Sequence, residues 1–162
     1  MKIRTALAKR AGRPVSDNAG RAARSTCYKL EDQVGFLLRR VNQRHLALFA
    51  EGFAATGLTP TQFAALVKLN DEGALSQNRL GRLTAMDPAT ILGVIQRLEA
   101  RELVHRQADA HDGRLTILRL TEAGTALVQR SLKRGLQVSA RTLEPLTPHE
   151  QKTLLALLEK LT

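Results

Sequence analysis

Tryptophan is absent from this 162-residue chain, and aromatic residues make up only 3% of it. A core built from such a composition must be aliphatic, and the abundance of leucine and alanine favours helices. There is a single cysteine, Cys27, so no disulfide can form within the chain, and a reducing compartment is consistent with that. No apolar run is long enough for a secretory signal or a membrane span, which points to the cytoplasm and away from a membrane partner. Catalytic signatures are missing too. His45, His105, His111 and His149 have no acidic or cysteine partners at metal-ligand spacing, and there is no glycine-rich phosphate loop, nucleophile elbow or paired-carboxylate motif. His111 and Asp112 are adjacent, but the pair fits a loop better than acid-base chemistry. No catalytic residue, metal or cofactor is expected.

Acidic residues are also in deficit. The formal net charge is +10, which suits a polyanionic partner. Residues 1–26 carry Lys2, Arg4, Lys9, Arg10, Arg13, Arg21 and Arg24 against Asp17 alone, so this segment holds +6 of the total. It has no long apolar period. It reads as a basic arm adding non-specific phosphate attraction, with a solubilising extension or an organellar transit peptide as alternatives.

What is present is concentrated between Asp87 and Arg119. Asp87 is a good N-cap, Pro88 suits the first helical position, and Ile91, Val94, Ile95 and Leu98 recur at helical spacing. Opposite that apolar stripe lie Ala89, Gly93, Gln96 and Ala100, with Leu92 and Arg97 to either side. Such a small, lightly charged face can approach a groove floor, with Thr90, Gln96 and Arg97 supplying hydrogen-bonding groups for base edges. An ordinary amphipathic surface helix has the same pattern. Upstream, Ser76 can cap a helix over Gln77–Thr84 that includes Asn78 and turns Leu80 and Leu83 inward, and a break at Ala85-Met86 makes the pair a helix-turn-helix. Downstream, Leu103–Gln107 and Leu115–Leu120 have strand character around the turn-rich Ala108–Arg114. From Ser76 to Thr121 every basic residue is arginine, the residue favoured for bidentate phosphate and guanine contacts.

The pattern Asp112-Gly113-Arg114, five residues, then Leu120-Thr121 and Glu122-Ala123-Gly124 resembles the wing signature of the MarR family of winged-helix regulators. Leu58-Thr59-Pro60-Thr61-Gln62-Phe63, Leu83-Thr84-Ala85-Met86-Asp87 and Arg97–Val104 match in order and spacing, so the likeness runs from about Tyr28 to Leu161. It implies a mainly α fold with a small β wing: a winged helix-turn-helix within an α-helical dimer. The implied domains are the basic arm, 1–26, and a single MarR-type domain, 27–162. In the latter, the winged helix-turn-helix spans about 58–120 and dimerisation helices about 30–54 and 122–161. By resemblance, Ser76, Gln77, Asn78, Pro88, Ala89, Thr90, Gly93, Gln96 and Arg97 would face double-stranded DNA. Arg114 would enter the minor groove from the wing, with Asp112 orienting the loop or simply forming the turn. Glu102 departs from the pattern, because relatives often have glycine there.

The remaining segments fit a homodimer on a palindromic operator. Val34, Leu37, Leu38, Val41 and Leu48 stripe a long first helix, Thr121 can cap a helix reaching about Leu143, and Thr147-Pro148-His149-Glu150 forms a capping-box pattern before a leucine-rich last helix. Relatives bind amphipathic effectors between such helices and the winged module. Here Arg40, Arg44 and His45 interrupt the first helix, where cations beside an apolar slot suit an aromatic carboxylate or its coenzyme A thioester; a solvated basic face with a core histidine is the plainer reading. The function expected is a repressor released from DNA by such an acid. The alternatives are a redox-responsive regulator acting through Cys27, whose neighbours do not match the peroxide-sensing pattern, and an effector-independent architectural DNA-binding protein.

Overall fold

A computed structural model of the protein describes residues 28–108 and 116–162. Cys27, the basic arm, and Asp112 and Arg114 of the wing lie outside the described residues. After a single 3-10 turn at Leu30–Asp32, the elements are α1 (Val34–Phe53), α2 (Pro60–Glu72), β1 (Leu75–Ser76), α3 (Gln77–Leu83), α4 (Pro88–Ala100), β2 (Val104–Ala108), β3 (Thr116–Leu120), α5 (Glu122–Leu143) and α6 (Pro148–Glu159).

The helix starts follow local chemistry. Thr59 and Thr147 each accept from the backbone N–H three residues on, and Gln62 and Glu150 return the bond to the cap backbone, so α2 and α6 both begin in complete capping boxes with proline at the first position. The Thr147 backbone N–H and hydroxyl hold the Glu150 carboxyl below its ordinary range. Helix α2 ends at Gly73, whose φ of 79° places it in a left-handed conformation that costs glycine little.

β3 lies between β1 and β2 in a three-stranded antiparallel sheet. Val104 pairs with Leu120 and Ala108 with Thr116, so the two expected strands pair, each starting one residue later than expected. The two-residue β1, opposite Leu118 and Ile117, was not legible in the sequence because so short a strand has no period of its own.

The core joins Leu66 and Leu69 of α2, Leu80 of α3, Ile91, Val94, Ile95 and Leu98 of α4, Leu118 of β3, and Leu127 and Val128 of α5. It is not purely aliphatic. Phe49 and Phe53 stack at 4.0 Å between ring centroids, and Phe63 tilts against both, so the few aromatic residues are gathered where α1 meets α2. Leu83 does not turn inward as expected but is 38% exposed, because α3 ends at that residue. On α1 the buried residues are Phe49 and Phe53, whereas Val34, Leu37, Leu38 and Val41 remain exposed in the single chain. Helix α6 buries none of its residues, and Leu155, Leu157 and Leu161 stand in solvent.

Candidate nucleic-acid interface and effector cavity

Ser76 and Asp87 set the two helices of the helix-turn-helix. The Ser76 hydroxyl accepts from Arg79 N, and Asp87 accepts from Ala89 N at 3.0 Å and Thr90 N at 2.9 Å. The Thr90 hydroxyl also donates to Asp87 Oδ2 at 2.6 Å. That bond and the Thr90 backbone N–H hold the Asp87 carboxyl below its ordinary range. It also commits the only hydroxyl proton of Thr90, so toward a base edge Thr90 can act as an acceptor alone.

The turn between α3 and α4 closes tightly. Met86 N donates to Gly81 O at 2.9 Å, Thr84 N to Leu80 O at 3.0 Å, and Ala85 sits at a φ of 51°. A Cβ on Gly81 would lie 3.2 Å from Met86 O and 3.3 Å from Ile91 Cγ2, so glycine permits the approach. Outward, Asn78, Pro88, Ala89, Thr90, Gln96 and Arg97 are exposed, whereas Gln77 and Gly93 are half-buried. Arg97 folds back over Gly93, its guanidinium 3.6–3.8 Å from where a Cβ would stand. The exposed face of α4 therefore includes Ala89, Leu92, Gln96 and Arg97, with Gly93 beneath it. An ion pair of 2.8 Å between Arg106 Nε and Glu99 Oε1 braces β2 against the same helix.

The far end of α4 is fastened to α5 through one threonine. Thr121 N donates to Leu103 O at 3.1 Å, its hydroxyl donates to Glu102 O at 2.7 Å, and the same oxygen accepts from Gly124 N at 3.0 Å. A Cβ on Gly124 would fall inside the Leu103 carbonyl oxygen and 3.0 Å from its carbon. Thr121 and Gly124 of the wing signature are thus a docking joint between β2 and α5. Glu102, where the family pattern has glycine, stands at a φ of 57°. The residue departs from the pattern, but the left-handed turn that favours glycine is retained.

A cavity of about 470 Å³ lies between α1, α2 and α5. Phe49, Phe63, Val67, Leu132, Leu136 and Val138 make its walls apolar, and among the described residues His45 and Ser139 are the polar side chains that line it. Gly135 is needed here, because a Cβ would come within 2.9 Å of the Phe63 ring. Of the three residues expected to meet an effector, only His45 lines this space. Arg44 donates to Arg141 O at 3.0 Å, Arg40 stands 6.0 Å from the centre of the Phe36 ring, and neither lines the cavity. Arg141 in turn makes a two-pronged pair with Glu51 at 3.0 and 3.1 Å; this hydrogen-bonded charge pair lowers the Glu51 pKa and raises that of Arg141. The remaining wall residues were missed in the sequence, although Leu132, Gly135, Leu136 and Ser139 share one face of a helix at the spacing that would have grouped them. Among the described residues no cluster of His, Cys, Asp or Glu could hold a metal, and no helix is long and apolar enough to cross a membrane.

A paired helix-turn-helix, a sheet hairpin behind it and an apolar cavity between flanking helices form a specific combination, and the comparisons agree with it. The MarR family profile matches residues 58–116. The HTH-type transcriptional repressor NicR of Pseudomonas putida is 41% identical over 137 residues, covering 85% of this chain and 87% of that protein. The chain belongs to the MarR family. It is a winged-helix, DNA-binding transcriptional repressor rather than an enzyme. A probable transcriptional regulator from Pseudomonas aeruginosa is similar in structure, with a TM-score of 0.79, 50% identity, and coverage of 83% of this chain and all of that one. BpsR of Bordetella bronchiseptica, solved in a study of how 6-hydroxynicotinic acid regulates its DNA binding, also has a TM-score of 0.79, at 40% identity over 83% of this chain and 96% of its own.

Proposed function

We infer that this MarR-family protein is a cytoplasmic homodimer, released from a palindromic operator when a small aromatic carboxylic acid enters the cavity between α1, α2 and α5. The cavity carries the reading. Its volume of about 470 Å³ is within the ordinary range for small-molecule sites, its walls hold a ring, and it offers one imidazole to a polar substituent. A free acid suits it better than a coenzyme A thioester, whose nucleotide would extend beyond the walls. Likeness to BpsR, whose DNA binding is regulated by 6-hydroxynicotinic acid, supports the same ligand class. Arg40 and Arg44 act at a distance, contributing positive potential along α1 rather than direct contact.

Two exposed apolar surfaces support the homodimer. Tyr28, Leu30, Val34, Leu37, Leu38 and Val41 stand out at the start of the described chain, as do Leu155 and Leu157 of α6 and Leu161 just beyond it. Closing these against a second copy would set two α4 helices in successive major grooves. Ser76, Gln77 and Asn78 then approach phosphates from the start of α3, while Pro88, Ala89, Thr90, Gly93, Gln96 and Arg97 meet base edges, and Arg114 and Asp112, outside the described residues, are assigned to the wing's DNA contact. Fluorescence anisotropy on an inverted repeat from the chain's own upstream region, titrated with 6-hydroxynicotinic acid and benzoic acid, tests this proposal. Release by at least one acid is expected from a protein that sediments as a dimer. A monomer, or DNA binding indifferent to every acid, would refute it.

A further inference from the structure

The Thr142 hydroxyl has one proton, and it points to Val138 O in the preceding turn of α5 at 2.8 Å. A carbonyl oxygen can only accept, so that proton is committed. Thr142 Oγ1 also meets His45 Nδ1 at 2.9 Å, and in that contact it can only accept. Nδ1 therefore carries the hydrogen. The variable atom of the ring is Nε2, a lone pair when the imidazole is neutral and an N–H when it is charged. Nε2 has no hydrogen-bond partner among the described residues.

Among the described residues Ser139 is the other polar side chain on the walls, and its hydroxyl carries no charge to balance a carboxylate. From α1, Arg44 gives its guanidinium to Arg141 O; from α5, Arg141 is paired with Glu51; α2 contributes only Pro60, Phe63 and Val67 to the walls. An anion moved from water into such surroundings needs a partner, and a lone pair at Nε2 would repel it. One proton resolves the conflict wherever it sits, as imidazolium facing carboxylate or as carboxylic acid donating to neutral imidazole. Either way the bound pair holds one proton more than the neutral imidazole and free anion did apart.

We propose that the cavity takes up an aromatic acid together with one proton, shared between the ligand carboxyl and His45 Nε2, with Thr142 as the positioning residue that fixes the tautomer. This rests on the cavity being the effector site. Calorimetry of 6-hydroxynicotinate binding to the full chain at pH 8.5, above the range where imidazoles commonly carry charge, counts protons through the enthalpy difference between Tris and borate buffers. The expected uptake is about one proton per acid, with affinity falling about tenfold per pH unit above that range. Measurable acid binding with no proton uptake would overturn the proposal and leave the effector reading standing; no binding of either 6-hydroxynicotinate or benzoate would overturn both. His45→Gln, measured with 6-hydroxynicotinate and its amide, should bind the acid without a proton, whereas unchanged proton uptake in that variant would sink the assignment. Thr142→Val, close in shape, should weaken acid binding about tenfold, roughly the worth of one hydrogen bond, and leave the amide unaffected. Equal losses for acid and amide would reduce Thr142 to a structural part and overturn its positioning role.

Discussion

Replacing Glu102 by glycine should stabilise the protein without touching its core. At a φ of 57° the Glu102 Cβ crowds the following carbonyl, a conformation that costs an L-residue about 1–2 kcal/mol. Glycine is free of that clash but loses more chain entropy on folding, about 0.5–1 kcal/mol. The central values leave a net gain of about 0.75 kcal/mol for Glu102→Gly. The bonds at this turn use backbone atoms, Glu102 N to Glu99 O at 2.8 Å and the Thr121 hydroxyl to Glu102 O, so they survive the change. For a chain of this size the gain corresponds to a rise in Tm of roughly 1–4 °C, measured by calorimetry at matched protein concentration because assembly also shifts Tm. Glu102→Ala is the control. It removes the exposed carboxylate but keeps the Cβ, so it should stay within about 0.5 kcal/mol of the parent. A Tm that rises equally for alanine and glycine would show that side-chain charge and not backbone conformation is responsible, and a fall with glycine would refute the strain argument outright.

Gly124→Ala should be far more damaging, about 3 kcal/mol or more in urea unfolding, because its Cβ meets the Leu103 backbone, which cannot rotate away. Asp87→Ala should destabilise α4 and Asp87→Asn much less, since asparagine also caps. Because the folded Asp87 carboxyl titrates below its ordinary value, its contribution is fully present above the usual carboxylate range and is lost as pH falls through the lowered value. The gap between parent and Asp87→Ala in thermal melts should therefore narrow on acidification, and a constant gap would contradict the capping assignment. Gln96→Ala should alter operator preference, whereas Arg114→Ala should weaken binding across sequences and flatten its salt dependence; identical, sequence-independent losses would argue against that division.

The parts of the fold legible in the sequence are those fixed within four residues. Asp87, Thr121 and Thr147 mark helix starts because a cap and the backbone N–H that donates to it are close neighbours, and Ile91, Val94, Ile95 and Leu98 mark the buried face of α4 because the helical period is local. What was missed depends on distant partners. β1 exists only because β3 runs beside it, and Arg44 is drawn from the cavity by a carbonyl on α5. The left-handed turn at Ala85 likewise follows from how closely α3 and α4 approach at Gly81. His45, a candidate from its place in the first helix, does line the cavity, while the walls around it come from three helices and needed the tertiary structure to assemble.

The Thr121 joint has a mechanical consequence. Helix α4 has 13 residues, a lever of about 20 Å, joined beyond its C-terminal end to α5 and packed at its Pro88 end against α3, so that α3 and α4 move together. A tilt of only about 3° at that joint would carry the Pro88 end sideways by about 1 Å, enough to stretch a base-edge hydrogen bond beyond useful length. Small rotations of α5 are thus magnified where the duplex is read, and a stiff lever needs no unfolding to let go of DNA.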